Sequence, residues 1–366
     1  MNKKLLALAM SLVMVMTLIT GCGKEKSSYF KEIAKLQEMN TGTSTTELAM
    51  ELPGDKADLK FLLDDKGNTS VKVKLDYTVE SETKIAAKIS AKLGTNEYGE
   101  LTTFVLDGNK LYVDLGTLTE TIKKIDEESG KEYQELLKQI GAKKYVSFDL
   151  KQLGEALKTD LTLNMDKDKK ETAVQMVKDI ATTLEKDFKD LQGQDGDDYT
   201  LTINEKNASK AVDALDAFCK NDVKTLYNKV MDGYIKILGS DTDMGKQFAE
   251  MKKDTKSVDE IAKGISDKDK KEVVDTIKKG KVNAVSKINV SGKEGSRVAK
   301  WSVDTGNIKV DTEDLKGNVK VNITSEFKEG KASIKDSVPS DAVDLTAFIT
   351  SMVNQIGSLD SEDLVQ

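Results

Sequence analysis

Hydrophobic positions along the chain follow two periods, arranged in blocks. Val71, Val73, Leu75, Tyr77 and Val79 alternate strictly with Lys72, Lys74, Asp76 and Thr78, the period of a strand with one apolar face. Ile85, Ala87, Ile89, Ala91 and Leu93 continue that period. Residues 102–106 and 111–115 flank Asp107-Gly108-Asn109-Lys110 and predict a hairpin, because Asp-Gly accepts the positive φ of a tight turn. Leu59, Phe61 and Leu63 predict an earlier strand, connected onward through residues 64–68. The last third predicts strands at 282–290, 298–303, 307–310 and 319–323, with a weaker one at 333–334.

Helical spacing fills the middle. Ile122, Ile125, Tyr133, Leu136, Leu137 and Ile140 predict a helix interrupted near Ser129-Gly130. A short strand at 145–148 and a helical turn or two at 153–157 follow. Residues 171–191 form a clear helix, with Val174, Val177, Ile180, Ala181, Leu184 and Phe188 on one stripe. Residues 193–198 predict a loop, 199–203 a strand, and 208–238 one long helix. Shorter helices are predicted around Lys246 and Val258 and over 273–277. A short amphipathic helix at 29–40 opens this region, and a helix at 343–356 closes it. Asp166-Lys167-Asp168-Lys169-Lys170-Glu171 recurs as Asp267-Lys268-Asp269-Lys270-Lys271-Glu272. Both copies are start-of-helix chemistry, with acids at the positive end of the helix dipole.

These blocks predict an α+β fold: one large, curved antiparallel sheet, unclosed like an open barrel, with helices packed against its concave apolar face. No linker rich in Pro, Gly or Ser divides the chain, so residues 29–357 are read as one domain and 358–366 as an acidic tail. Lys72, Lys74, Lys84, Lys88 and Lys92 stand on polar strand faces, where they discourage pairing with other chains.

The first 28 residues have a separate logic. Lys3 and Lys4 precede the apolar run 5–18, which suits a signal-peptide core and falls short of the ~20 residues needed to span a bilayer. Ile19-Thr20-Gly21-Cys22 follows and resembles the bacterial lipobox. That resemblance implies a signal peptide over 1–21, cleavage before Cys22, and a diacylglyceryl thioether with further acylation, such as palmitate, on Cys22. Two acyl chains hold a protein stably on a membrane where one does not. Residues 22–28 then read as a short lipidated tether. The expected location is the cell membrane, lipid-anchored, on its extracytoplasmic face.

Composition narrows the chemistry. The 366 residues include no His, two Cys and 56 Lys plus Arg against 63 Asp plus Glu, for a formal charge of -7. Without His there is no Ser-His-Asp triad and no His-ligated metal. The acidic balance argues against nucleic acid as partner. Cys219 sits among Val212, Leu215, Leu226 and Val230 at helical spacing, the position of a buried small hydrophobe. Asp195, Asp197 and Asp198 beside Gly193 and Gly196 suggest calcium by their oxygens, but the spacing is not an EF-hand, and a solvated turn is the simpler reading. Trp301, between Ala299 and Val303, reads as core. Neither a carboxylate pair nor a Ser-Lys pair is singled out, so no catalytic, metal or cofactor site is assigned and the chain is not read as an enzyme.

One resemblance extends over most of the chain. The lipobox, the short helix, the strand-rich meander containing the segment 104–113, the inner helical section and the return to strands near 334–339 together resemble the LolA–LppX group of lipid and lipoprotein carriers. The likeness is one of pattern, the helical middle here is longer, and no binding residue maps across. It implies an unclosed barrel around helices and a cavity for acyl chains. The function so implied is binding or carrying a lipid or other apolar ligand. The alternative is a surface interaction or scaffold lipoprotein with a packed core, its protein partner unidentified.

Overall fold

The computed structural model describes residues 28–39, 41–53, 62–156, 167–311, 316–334 and 339–359. The lipobox with Cys22, the strand expected at Leu59 and Phe61, and the acidic tail from residue 360 lie outside them. In chain order the elements are helix α1 (Tyr29–Lys35) with a 3-10 turn (Leu36–Glu38), then strands β1 (Gly42–Leu52), β2 (Thr69–Ser81), β3 (Lys84–Leu93), β4 (Asn96–Asp107) and β5 (Lys110–Asp114). Helices α2 (Leu115–Ile125) and α3 (Glu127–Gln139), strand β6 (Tyr145–Asp149), α4 (Leu150–Ala156) and α5 (Lys167–Phe188) follow. Next come β7 (Gln192–Asp195), β8 (Asp198–Asn204) and five helices, α6 (Ala208–Asn221), α7 (Val223–Leu238), α8 (Asp243–Lys253), α9 (Lys256–Ile261) and α10 (Asp267–Lys279). The chain returns through β9 (Asn283–Ser291), β10 (Val298–Asp304), β11 (Ile308–Asp311), β12 (Lys316–Glu329) and β13 (Val343–Asp344) to α11 (Thr346–Leu359).

The strands form one 13-stranded sheet in the order β13-β6-β5-β4-β3-β2-β1-β12-β10-β9-β8-β7, with β11 alongside β12. All pairings are antiparallel except β13 with β6, and the two ends of the sheet do not meet. The predicted α+β class with an unclosed antiparallel sheet is what the chain adopts. The join is between β1 and β12, which pair over residues 42–51 and 320–329. Two hydrophobic cores form on the same apolar face, at opposite ends of the sheet. One gathers Tyr29, Phe30 and Ile33 of α1 with Ala181, Leu184 and Phe188 of α5, Ala211 of α6, and Leu201, Ile203 and Ile288 of β8 and β9. The other gathers Leu137 of α3, Ala142 of the following turn and Val146 of β6 with Val113, Phe148, Val343 and Leu345.

Several expectations need correction. β1 has no counterpart among the predicted strands. The hairpin expected after residue 106 is present, with Gly108 at φ 63, but β5 ends at Asp114 and Leu115 begins α2. Asp114 causes the switch: its buried carboxylate accepts from the Thr117 N–H and hydroxyl, an N-cap. The helix break falls at Asp126, which caps α3 through the Glu128 and Ser129 N–H groups; Gly130 is inside α3. Residues 193–198 are a β-hairpin between β7 and β8. The single helix over 208–238 is two helices, broken at Asp222. Residues 333–334 are not a strand, although the Ile334 N–H bonds Glu80. Residues 343–344 pair with β6, and the closing helix starts at Thr346, whose N–H is accepted by Asp344.

Candidate functional site: the apolar face of the central strands

Register shows what the face is made of, because residues opposite one another on paired strands point to the same side. Across β10, β12, β1, β2 and β3 one row reads Ala299, Phe327, Ser44, Tyr77, Ala87. The next reads Trp301, Ser325, Thr46, Leu75, Ile89, and the third Val303, Ile323, Leu48, Val73, Ala91. A fourth, from β12 to β3, is Val321, Met50, Val71, Leu93. No position in these rows carries a charge. The opposite side is ionic: Thr45 donates to Asp76 at 2.6 Å, and Lys74–Asp76, Lys88–Glu100 and Lys300–Glu326 pair there. Of the strand lysines, Lys74, Lys84 and Lys88 are paired surface groups.

The two ends of the apolar face carry buried cores, and among the described residues its centre is mostly half-buried. In β12, β1, β2 and β3 the row positions are half-buried, apart from Ser44 and Ala91, which are buried, and Leu48, which is 36% exposed. α5 reaches from the β8–β9 core toward the far side, where Lys170 pairs with Glu82 in the β2–β3 turn. Lys31 of α1 and Lys229 of α7 hold α5 through Glu185 and Asp179. α7 closes onto α5 where Gly233 faces Met176; a Cβ there would lie 2.8 Å from the Met176 sulfur.

Polar groups anchor α1 at the rim of this floor. Ser286 Oγ donates to the Ser302 carbonyl at 3.0 Å, so it accepts from the Tyr29 hydroxyl at 2.5 Å and from Trp301 Nε1 at 3.1 Å. Burial pushes the Tyr29 phenol up, partly offset by these bonds. Arg297 donates Nε and Nη2 to the two oxygens of Glu329, both at 2.8 Å, and reaches the Glu38 carboxylate and carbonyl. Its bonds with Glu329 hold the Glu329 carboxyl below its usual range.

The residues singled out in the sequence are dispersed. Cys22 lies outside the described residues. Cys219 is buried in α6, and burial together with the Asp216 charge pushes its thiol up, the opposite of an activated thiolate. Asp195 pairs with Lys287 at 2.7 Å in the β7–β8 hairpin, which draws its carboxyl down. Among the described residues no group of three or more His, Cys, Asp or Glu could hold a metal. Trp301 is half-buried on the apolar face, in register with Ser325. Periodicity overlooked two features. Ser44 and Thr46 belong to a strand without an apolar stripe in its first half. Asp216 is a buried acid that binds the Ile265 N–H, Lys220 and Lys270. Burial pushes its carboxyl up, but these three donors outweigh that and hold it far below the usual range; it fastens α10 to α6.

No helix among the described residues is long and apolar enough to cross a membrane. No family model, curated protein or solved structure matches the chain.

Proposed function

We propose that the protein is an extracytoplasmic lipoprotein, held on the cell membrane by acyl chains on Cys22, and that its central apolar sheet face takes up a lipid or other apolar ligand. The supporting observation is the half-buried floor of four uncharged rows between two buried cores. Four strands at ~4.8 Å spacing are about 19 Å wide, room for an acyl ligand beside a helix about 10 Å across. Pockets for apolar ligands are concave and mostly apolar with few polar groups, and this floor has that composition. The role is one of binding; no catalytic function, cofactor or nucleic acid partner is proposed.

Native mass spectrometry of the chain carrying Cys22→Ala tests the ligand. The expected result is co-purified acyl species, or uptake of a fluorescent acyl lipid, that Leu48→Glu abolishes by placing a charge on the floor. A protein that arrives empty and takes up nothing overturns the reading. The same Cys22→Ala variant should lose labelled palmitate and leave the membrane fraction. The second reading, a scaffold lipoprotein, draws on exposed apolar side chains away from the floor, Tyr133 and Leu136 on α3 and Phe348 and Met352 on α11. An empty protein that crosslinks through those helices would favour it.

A further inference from the structure

We infer that Asp187 and Asp222 form a proton-operated latch: sharing one proton they hold the α6–α7 corner against α5, and losing it they release that corner. The inference is independent of the ligand-holding reading. Asp187 lies in the last turn of α5, and its side chain is 5% exposed. Its Oδ2 is buried and has no hydrogen-bond partner. Asp222 is the residue between α6 and α7, and its carboxyl stands within hydrogen-bond reach of Asp187. Among the described residues, the charged groups facing Asp187 are Asp222 from that corner and Lys186 from its own helix. The Lys186 ammonium is 3.0 Å from Asp222 Oδ2 and 4.0 Å from Asp187 Oδ1. One cation therefore serves two acids, and the buried acid is the one farther from it.

Neighbouring carboxylates oppose each other's ionisation. With both ionised, the pair outweighs the charge of Lys186, and a buried oxygen is left without a donor. One proton cancels the excess and turns one carboxyl into a donor for the other. Burial and the Asp222 charge push the Asp187 carboxyl up, against the pull of Lys186. Its folded value therefore lies above the ordinary 3.8. The stabilisation is complete below 3.8 and is lost as pH rises through the folded value. The corner is placed to respond. Asp222 donates its N–H to the Phe218 carbonyl and accepts from the Leu226 N–H, so repulsion at its side chain acts on the backbone that joins α6 to α7. The Phe218 ring packs 6.3 Å from that of Phe188, the residue after Asp187. Release therefore loosens α6 and α7 from the C-terminal end of α5, the helix that reaches toward the far side of the sheet.

The test follows the Asp187 carboxyl carbon by nuclear magnetic resonance in the full chain. It should titrate above 3.8, and Asp222→Asn, whose amide donates where a carboxylate repels, should bring it down. Asp187→Asn mimics the protonated acid and should stay latched at every pH. Relative to that variant, the folding constant of the unaltered protein in urea should fall about tenfold per pH unit from 3.8 to the folded value of Asp187. At a common pH above that value, amides of residues 218–226 should exchange faster in the unaltered protein than in Asp187→Asn. Amides of β2 and β3 that open locally should exchange alike in both. Titration of Asp187 at or below 3.8 overturns the inference, as does an Asp187→Asn protein no more stable than the unaltered one at neutral pH. A loss of stability on adding a metal chelator gives the pair to a cation and overturns the shared proton. If Asp187→Asn does not fold, the titrations of the unaltered protein and of Asp222→Asn decide.

Discussion

Arginine occurs once in this Lys-rich chain, at position 297, and its geometry explains the exception. The guanidinium side chain is 10% exposed and Glu329 is 7% exposed, with two parallel bonds between them. A planar fork makes that contact, and an ammonium does not. The remaining donors fix Glu38, so the residue ties the end of the 3-10 turn to β12. Arg297→Ala leaves Glu329 buried without a counter-charge and should cost ~3–5 kcal/mol; Arg297→Lys, which keeps the charge without the fork, should cost less. Urea unfolding measures both. The pH dependence has a definite sign. The folded pKa of Glu329 is depressed, so its contribution is present above its ordinary value of 4.5 and is lost as pH falls from there through the folded value. Arg297→Ala, which keeps only the Gly295 and residue-297 backbone N–H bonds to Glu329, should narrow that window. Equal acid sensitivity in the two proteins would show that the pair does not govern it.

Glycine at 130 makes the corresponding point for an element. Read in the sequence, Ser129-Gly130 looks like a helix interruption. In the fold Gly130 lies within α3, where a Cβ would meet the Lys123 Cα of α2 at 2.3 Å. Alanine would gain about 1 kcal/mol in helix propensity, but forcing two packed backbones apart costs ~1–3 kcal/mol. The variant Gly130→Ala should therefore be less stable, by up to ~2 kcal/mol, with an unchanged denaturant slope; a more stable variant would mean the helices do not depend on this contact. What the sequence revealed follows the same physics. β2 and β3 were legible because every second residue is apolar. β1 was not, because Ser44 and Thr46 occupy the positions that would carry the stripe, and its strand character comes from β-branched Thr and from pairing on both sides. The break at Asp222 was invisible to periodicity, since Asp222 still donates to the Phe218 carbonyl and accepts from the Leu226 N–H. The candidate floor was therefore half legible: its aliphatic rows stand out in the sequence, and its hydroxyls emerge only through cross-strand register.

At the scale of the molecule, distribution matters more than any single contact. The cores gather at the two ends of the sheet, and β1 and β12 join the first and last parts of the chain across a centre whose side chains are half-buried. Stability should be distributed in the same way, with local openings costing most where apolar burial is densest. A ligand bound to the centre adds free energy to every opening that destroys its site and nothing to openings that leave the site intact. At one hundred times its dissociation constant, an acyl ligand should slow exchange of amides in β1, β2 and β12 up to about 100-fold, ~2.7 kcal/mol. Amides of α3 and α11 that open locally, at the other end of the sheet, should keep their rates. Hydrogen exchange with and without lipid reads this directly. If the slowed amides instead cluster in α3 and α11, beside the exposed Tyr133, Leu136, Phe348 and Met352, then those helices and not the sheet form the lipid-binding surface.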